Sequence, residues 1–139
     1  MKTFVDTGGW LAVVVQTDQY HDVAVLHYEA LINRRERLFT SDYVLDETMT
    51  RIRYDASHST AVAFLDLIRA AERSGSLRIL QVDNMVWRAA ESLFRQYHDQ
   101  DFSFTDCTSF LLAQQADVDE VFGFDHHFLM FGFIVKPLW

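Results

Sequence analysis

FVDTGGW, residues 4–10, places a carboxylate between two apolar runs. MKTFV reads as a short buried strand, and WLAVVV follows soon after as further apolar sequence. An ionised carboxylate is rarely buried without a partner. Asp6 therefore either closes a strand at the surface or faces something positive.

Working outward, the chain alternates between the two hydrophobic periods. Lys2 to Val5 is the first strand, and Tyr20 to Asn33 has helical spacing in Val23, Leu26, His27, Ala30 and Leu31. Arg37 to Thr40 is the second strand. Ser41 or Asp42 caps a helix through about Tyr54, and Ser57 or Ser59 caps another through Arg73, with Gly75 as its stop. Leu77 to Val82 is the third strand. Asp83 caps a helix to about His98, and Thr105 to Ala116 is a further helix. Val118 to Phe122 and Phe133 to Val135 are the last two strands. Strands separated by helices imply an α/β domain with a mainly parallel sheet and right-handed crossovers. Repeats and low-complexity linkers are missing, so residues 1–139 read as one domain.

The bulk numbers narrow the class. Half the residues are hydrophobic and 14% aromatic, enough for a real core. A net charge of −8 argues against broad adhesion to nucleic acid through a basic face. A nucleic-acid enzyme stays open, because a bound metal neutralises acids and some arginines cluster, Arg34, Arg35 and Arg37 in one group and Arg51 and Arg53 in another. A single cysteine, Cys107, allows no internal disulfide and no cysteine-based zinc set; it reads as a small buried hydrophobe. The start lacks a signal-peptide layout, and no apolar run approaches the roughly 20 residues that span a bilayer. A cytoplasmic, non-membrane protein is the expectation.

In parallel α/β sheets the working site lies at the carboxyl ends of the strands. Asp6 follows strand one, Glu47 lies in the first turns after strand two, Asp106 in the first turn of the helix before strand four, and Asp125 follows strand four. All four converge on one edge. Each also has an ordinary use: Asp106 completes a capping box if Ser103 is the cap, Glu47 faces solvent, and Asp125 starts a turn. Four carboxylates together repel one another unless a divalent cation is present, and oxygen-only ligands suit Mg2+ or Mn2+. Two such ions about 4 Å apart support phosphodiester hydrolysis without a Ser, Cys or His nucleophile.

FVDTGGW at 4–10, TSDYVLDETMT at 40–50, FSFTDCTSF at 102–110 and VFGFDHHFLMFGF at 121–133 resemble the PIN-domain ribonucleases, in particular VapC-type toxins of toxin–antitoxin pairs. The resemblance implies a three-layer α/β/α fold with a parallel sheet of order 3-2-1-4-5. It implies a metal-dependent endoribonuclease that hydrolyses RNA with metal-activated water and leaves 5′-phosphate and 3′-hydroxyl ends. Asp6, Glu47, Asp106 and Asp125 take the places of the family's acids. Asp6, Asp106 and Asp125 are the implied ligands of Mg2+ or Mn2+, with Glu47 ligating directly or through water. Thr105, in preference to Ser103, fills the place of a hydroxyl near the third acid, and Thr7 supports the site. Arg51, Arg53 and His126 are candidate substrate contacts, and His126 or His127 a candidate extra ligand or proton carrier. A homodimer and a cognate antitoxin are the implied partners, the antitoxin tail lying in an outer groove along helices 20–33 and 42–73.

Two positions depart from the pattern. Gly8-Gly9 replaces the usual small residues, and His126 replaces a common arginine. The aromatic second half, Phe102, Phe104, Phe110, Phe122, Phe124, Phe128, Phe131 and Phe133, reads mainly as core, with base stacking as the alternative. The competing readings are a receiver-like signalling domain and a non-enzymatic RNA- or protein-binding relative. A receiver expects adjacent acids after strand one and a lysine after the last strand. Strand one here ends in a single Asp6, and Lys136 lies beside Pro137 near the chain end. An aspartyl phosphatase expects a second acid where Gly8 stands.

Overall fold

The computed structural model describes residues 1–138. Five parallel strands form one sheet in the order β3-β2-β1-β4-β5. They are β1 (Lys2–Val5), β2 (Arg37–Ser41), β3 (Leu77–Leu80), β4 (Glu120–Phe122) and β5 (Ile134–Lys136). The helices that flank the sheet in three layers are α1 (Thr7–Val14), α2 (His21–Asn33), α3 (Asp42–Asp55), α4 (His58–Ser74), α5 (Asn84–Gln96) and α6 (Phe104–Gln115). A short 3-10 helix, His126–Phe131, joins β4 to β5. Among the described residues, no helix is long and apolar enough to cross a membrane.

The central strand β1 pairs with β2 on one side and β4 on the other, with Phe4 beside Phe39 and Val121. Both of its faces are covered, so Thr3, Phe4 and Val5 are all buried. Trp10 of α1 closes the core. Its rings meet Phe64 and Tyr28 edge-on, and its Nε1 donates to the Thr40 hydroxyl, which donates in turn to the Val5 carbonyl. This chain leaves no polar atom of the buried Trp10–Thr40 pair unpaired.

The helix starts follow capping chemistry. Ser41, Ser57, Asp83 and Ser103 each accept from a backbone N–H in the first turn of the helix that follows. Gly75 ends α4 in the left-handed region, at φ 83°. The main departure from expectation is α1. WLAVVV reads in the sequence only as further apolar residues; most of it belongs to a helix beginning at Thr7 that is buried on most sides. Strand four is shorter than expected, starting at Glu120 instead of Val118, and strand five keeps its length but lies one residue later, at Ile134–Lys136. Arg34 makes an ion pair at 2.9 Å with the buried Glu36, so it is committed to the structure rather than to a basic patch.

Candidate active site

Asp6 is the last residue of the β1 path and the first of the α1 path. Its N–H continues the ladder to the Phe122 carbonyl at 3.0 Å, and its carbonyl accepts the first helical bond from Trp10. The turn from strand to helix leaves the carboxylate at the carboxyl edge of the sheet, 7% exposed. Two glycines make room for it. A Cβ on Gly123 would lie 3.1 Å from the Asp6 Cβ, and one on Gly9 would lie 2.5 Å from the Phe122 carbonyl oxygen. Gly8 has no such constraint, since its Cβ would make ordinary contact with Phe124 at 3.7 Å. Of the Gly8-Gly9 pair, only Gly9 is required by the packing of α1 against the end of β4.

Asp106 is fixed by its own helix. Ser103 Oγ accepts from the Asp106 N–H at 2.9 Å, and Asp106 Oδ2 accepts from the Ser103 N–H at 2.9 Å. This is the reciprocal capping box, and it engages Oδ2 and not Oδ1. Ser103 rather than Thr105 therefore holds the third acid; the Thr105 carbonyl accepts from the Thr108 hydroxyl within the helix. Glu47, in the second turn of α3, accepts from the Thr7 hydroxyl at 3.4 Å. Asp125 caps the 3-10 helix, its Oδ1 accepting from the His127 N–H at 2.9 Å, with His127 Nδ1 at the same distance.

The four acids feel one another. Burial, then Asp106, Asp125 and Glu47, push the Asp6 carboxyl up to about 8, against a lowering hydrogen bond from Thr7. Burial is also the first cause that raises Asp106, with Asp125 and Glu47 adding to it and the Ser103 bonds opposing. No lysine or arginine pairs with any of the four among the described residues. Donor atoms of Asp106, Asp125 and His127 lie within 4.8 Å of one another, a spacing suited to a shared cation. Cys107, next to Asp106, is buried, and burial pushes its thiol up to about 11, which leaves it unreactive at neutral pH.

The remaining candidates separate. Arg51 is exposed one helical turn beyond Glu47. Arg53 turns towards His58 and lines a groove between α3 and α4 instead. His126 is exposed, and His127 is bonded to Asp125. The sequence signal for this choice is positional. Asp125 caps the helical turn, and the residue two places after a capping aspartate folds back onto it.

A family model for the PIN domain matches residues 3–133. The chain is 28% identical over 130 residues to a VapC ribonuclease of Archaeoglobus fulgidus, covering 92% of this chain and 80% of that protein. It is 28% identical over 135 residues to the 23S rRNA-specific endonuclease VapC20 of Mycobacterium tuberculosis, covering 96% of this chain and 98% of the relative. The crystal structure of M. tuberculosis VapC20, described as a Sarcin-Ricin loop cleaving toxin, superposes with a TM-score of 0.80 at 29% identity, over 97% of this chain and 99% of that one. With the PIN model spanning nearly the whole sheet and every acid of the cluster, the chain belongs to the PIN-domain family.

Proposed function

We propose that the chain is a metal-dependent endoribonuclease, acting as the toxin of a toxin–antitoxin pair. The observation that carries this reading is the meeting of Asp6, Glu47, Asp106 and Asp125 with no lysine or arginine paired to them among the described residues. Burial first, then the neighbouring acids, raises the Asp6 carboxyl, and a bound cation would offset that cost. The donors are all hard oxygens apart from His127, which suits Mg2+ or Mn2+. Asp6, Asp106 and Asp125 would hold the ion, with Glu47 ligating directly or through water. Once bound, such an ion makes water a nucleophile near neutral pH and stabilises charge on the phosphate.

The chain's own residues prepare that chemistry. Ser103 holds Oδ2 of Asp106, so Oδ1 is the free donor. His127 holds Oδ1 of Asp125, so Oδ2 is the free donor, and the ring keeps a proton site 2.9 Å from the carboxylate. Thr7 limits the rotation of Glu47. Arg51, exposed one turn from Glu47, would meet the RNA backbone. The groove of Met49, Arg53, Val62 and Leu65 on α3 and α4 has the apolar floor and single cation that an antitoxin tail would use. A homodimer is part of the same reading.

The names of the relatives support RNA as substrate, and 23S rRNA is the first RNA to assay. Expression of the chain alone should arrest growth, and co-expression of a small protein encoded beside it should relieve the arrest. A purified protein that binds Mn2+ but leaves RNA intact would favour the non-enzymatic alternative.

A further inference from the structure

Segment 102–106 has two sides. On one, Ser103 and Asp106 form a wall of the acid site. On the other, Phe102 and Phe104 join Phe94 and Tyr97 around a cavity of about 580 Å³ that also takes Arg95 and His98 into its lining. The rings pair as Phe94 with Phe104 at 5.9 Å and Tyr97 with Phe102 at 5.5 Å. Phe110, Phe122 and Phe128 are fully buried, as core residues should be, but Phe94 is 49% exposed. Part of its surface is open at the cavity.

Three observations identify that occupant. The cavity has the size and make-up of a small-ligand site, apolar walls with a few polar groups. It adjoins the acids: the Phe102 ring is 4.8 Å from His127, which is bonded to Asp125, and Phe104 lies two residues before Asp106. The chain also has a net charge of −8 and concentrates acids where a phosphodiester must approach. Phosphate contacts alone hold RNA poorly on such a surface. Stacking of a base on an aromatic ring does not depend on net charge.

We infer that this cavity is a nucleobase pocket, which takes one unpaired base of the RNA strand beside the bond held at the acids. The inference rests on the ribonuclease reading for its biological role. Phe94 and Phe104 supply the stacking faces, and Arg95 and His98 donate to the base edge or to its phosphate. The pocket thereby selects unpaired over duplex RNA at that nucleotide.

The test is an NMR titration of the full chain in metal-free buffer with each of the four nucleoside 5′-monophosphates, and with ribose 5-phosphate as the base-free control. The nucleotides should shift signals of Phe94, Arg95, His98 and Phe104, and ribose 5-phosphate should not. Phe94→Ala, at a half-exposed position that should tolerate truncation, should weaken the response by roughly 5- to 150-fold, the worth of one base–aromatic stack. Equal shifts from ribose 5-phosphate, or shifts confined to residues around Asp6, would overturn the pocket. So would shifts of the same residues on diluting the protein alone, which would assign this face to a second copy of the chain. The titration involves no cleavage, so a failure of the nuclease reading and a failure of the pocket are told apart.

Discussion

Replacing Asp6 by Asn separates what this carboxylate does for function from what it does to the fold. Its folded pKa of about 8 stands above the ordinary value of 3.8. A carboxyl raised in this way leaves stability intact below pH 3.8 and reduces it as pH climbs towards 8, because the unfolded chain ionises first. At pH 7 the gap is about three pH units, and each is worth about 1.4 kcal/mol, so the metal-free protein loses about 4 kcal/mol. Asn removes that loss but buries an amide with imperfect partners, which costs about 1–3 kcal/mol. In EDTA at pH 7, Asp6→Asn should therefore be more stable than wild type by about 2 kcal/mol, and the advantage should vanish at about pH 5 and reverse below it. Urea denaturation at pH steps from 4 to 9 measures this. Adding Mn2+ at a hundredfold its dissociation constant should raise the wild type by about 2.7 kcal/mol and leave the variant unmoved. An Asn variant that is less stable than wild type in EDTA at every pH would refute the electrostatic argument.

Further outcomes follow from the same geometry. Gly9→Ala should destabilise by about 2 kcal/mol, since overpacking against a backbone carbonyl outweighs the helix gain, whereas Gly8→Ala should be neutral or stabilising by about 0.5 kcal/mol. Equal urea midpoints for the two variants would contradict the packing described for α1. Ser103→Ala should cost about 1 kcal/mol of stability through the lost cap and should also lower kcat, because Asp106 loses the partner that orients it; Thr105→Ala should spare the cap. Thr7→Val should weaken Mn2+ binding about tenfold in calorimetry, the low end for an outer-shell contact, as befits a bond of 3.4 Å.

The sheet was legible because its strands are short apolar runs separated by long amphipathic helices. Strand order was carried by the resemblance, since periodicity alone does not rank strands. The cap at Asp83 was legible outright, and those at Ser41 and Ser57 only as one of two neighbouring polar residues, Ser41 or Asp42 and Ser57 or Ser59. Helix α1 was not. It has apolar residues on all sides and two glycines in its first turn, so it has neither the period nor the propensity of a surface helix. The convergence of the acids was readable from the strand-end rule, but their supports were not. Choosing Ser103 over Thr105 needs the helix start to within one residue, and choosing His127 over His126 needs the 3-10 turn after Asp125. The Gly9 contact with Phe122 joins α1 to the end of β4, more than a hundred residues apart, which no local pattern encodes.

In the proposed function, these four acids support RNA hydrolysis by holding a divalent ion. The direct measurement incubates purified wild type, Asp6→Asn and Asp106→Asn with ribosomal RNA in EDTA, then with excess Mn2+ or Mg2+, and maps the cut ends. Cleavage by wild type alone, only after the metal is restored, leaving 5′-phosphate and 3′-hydroxyl ends, is the predicted result. Cleavage that persists in EDTA, or at wild-type rate in either variant, would contradict the account.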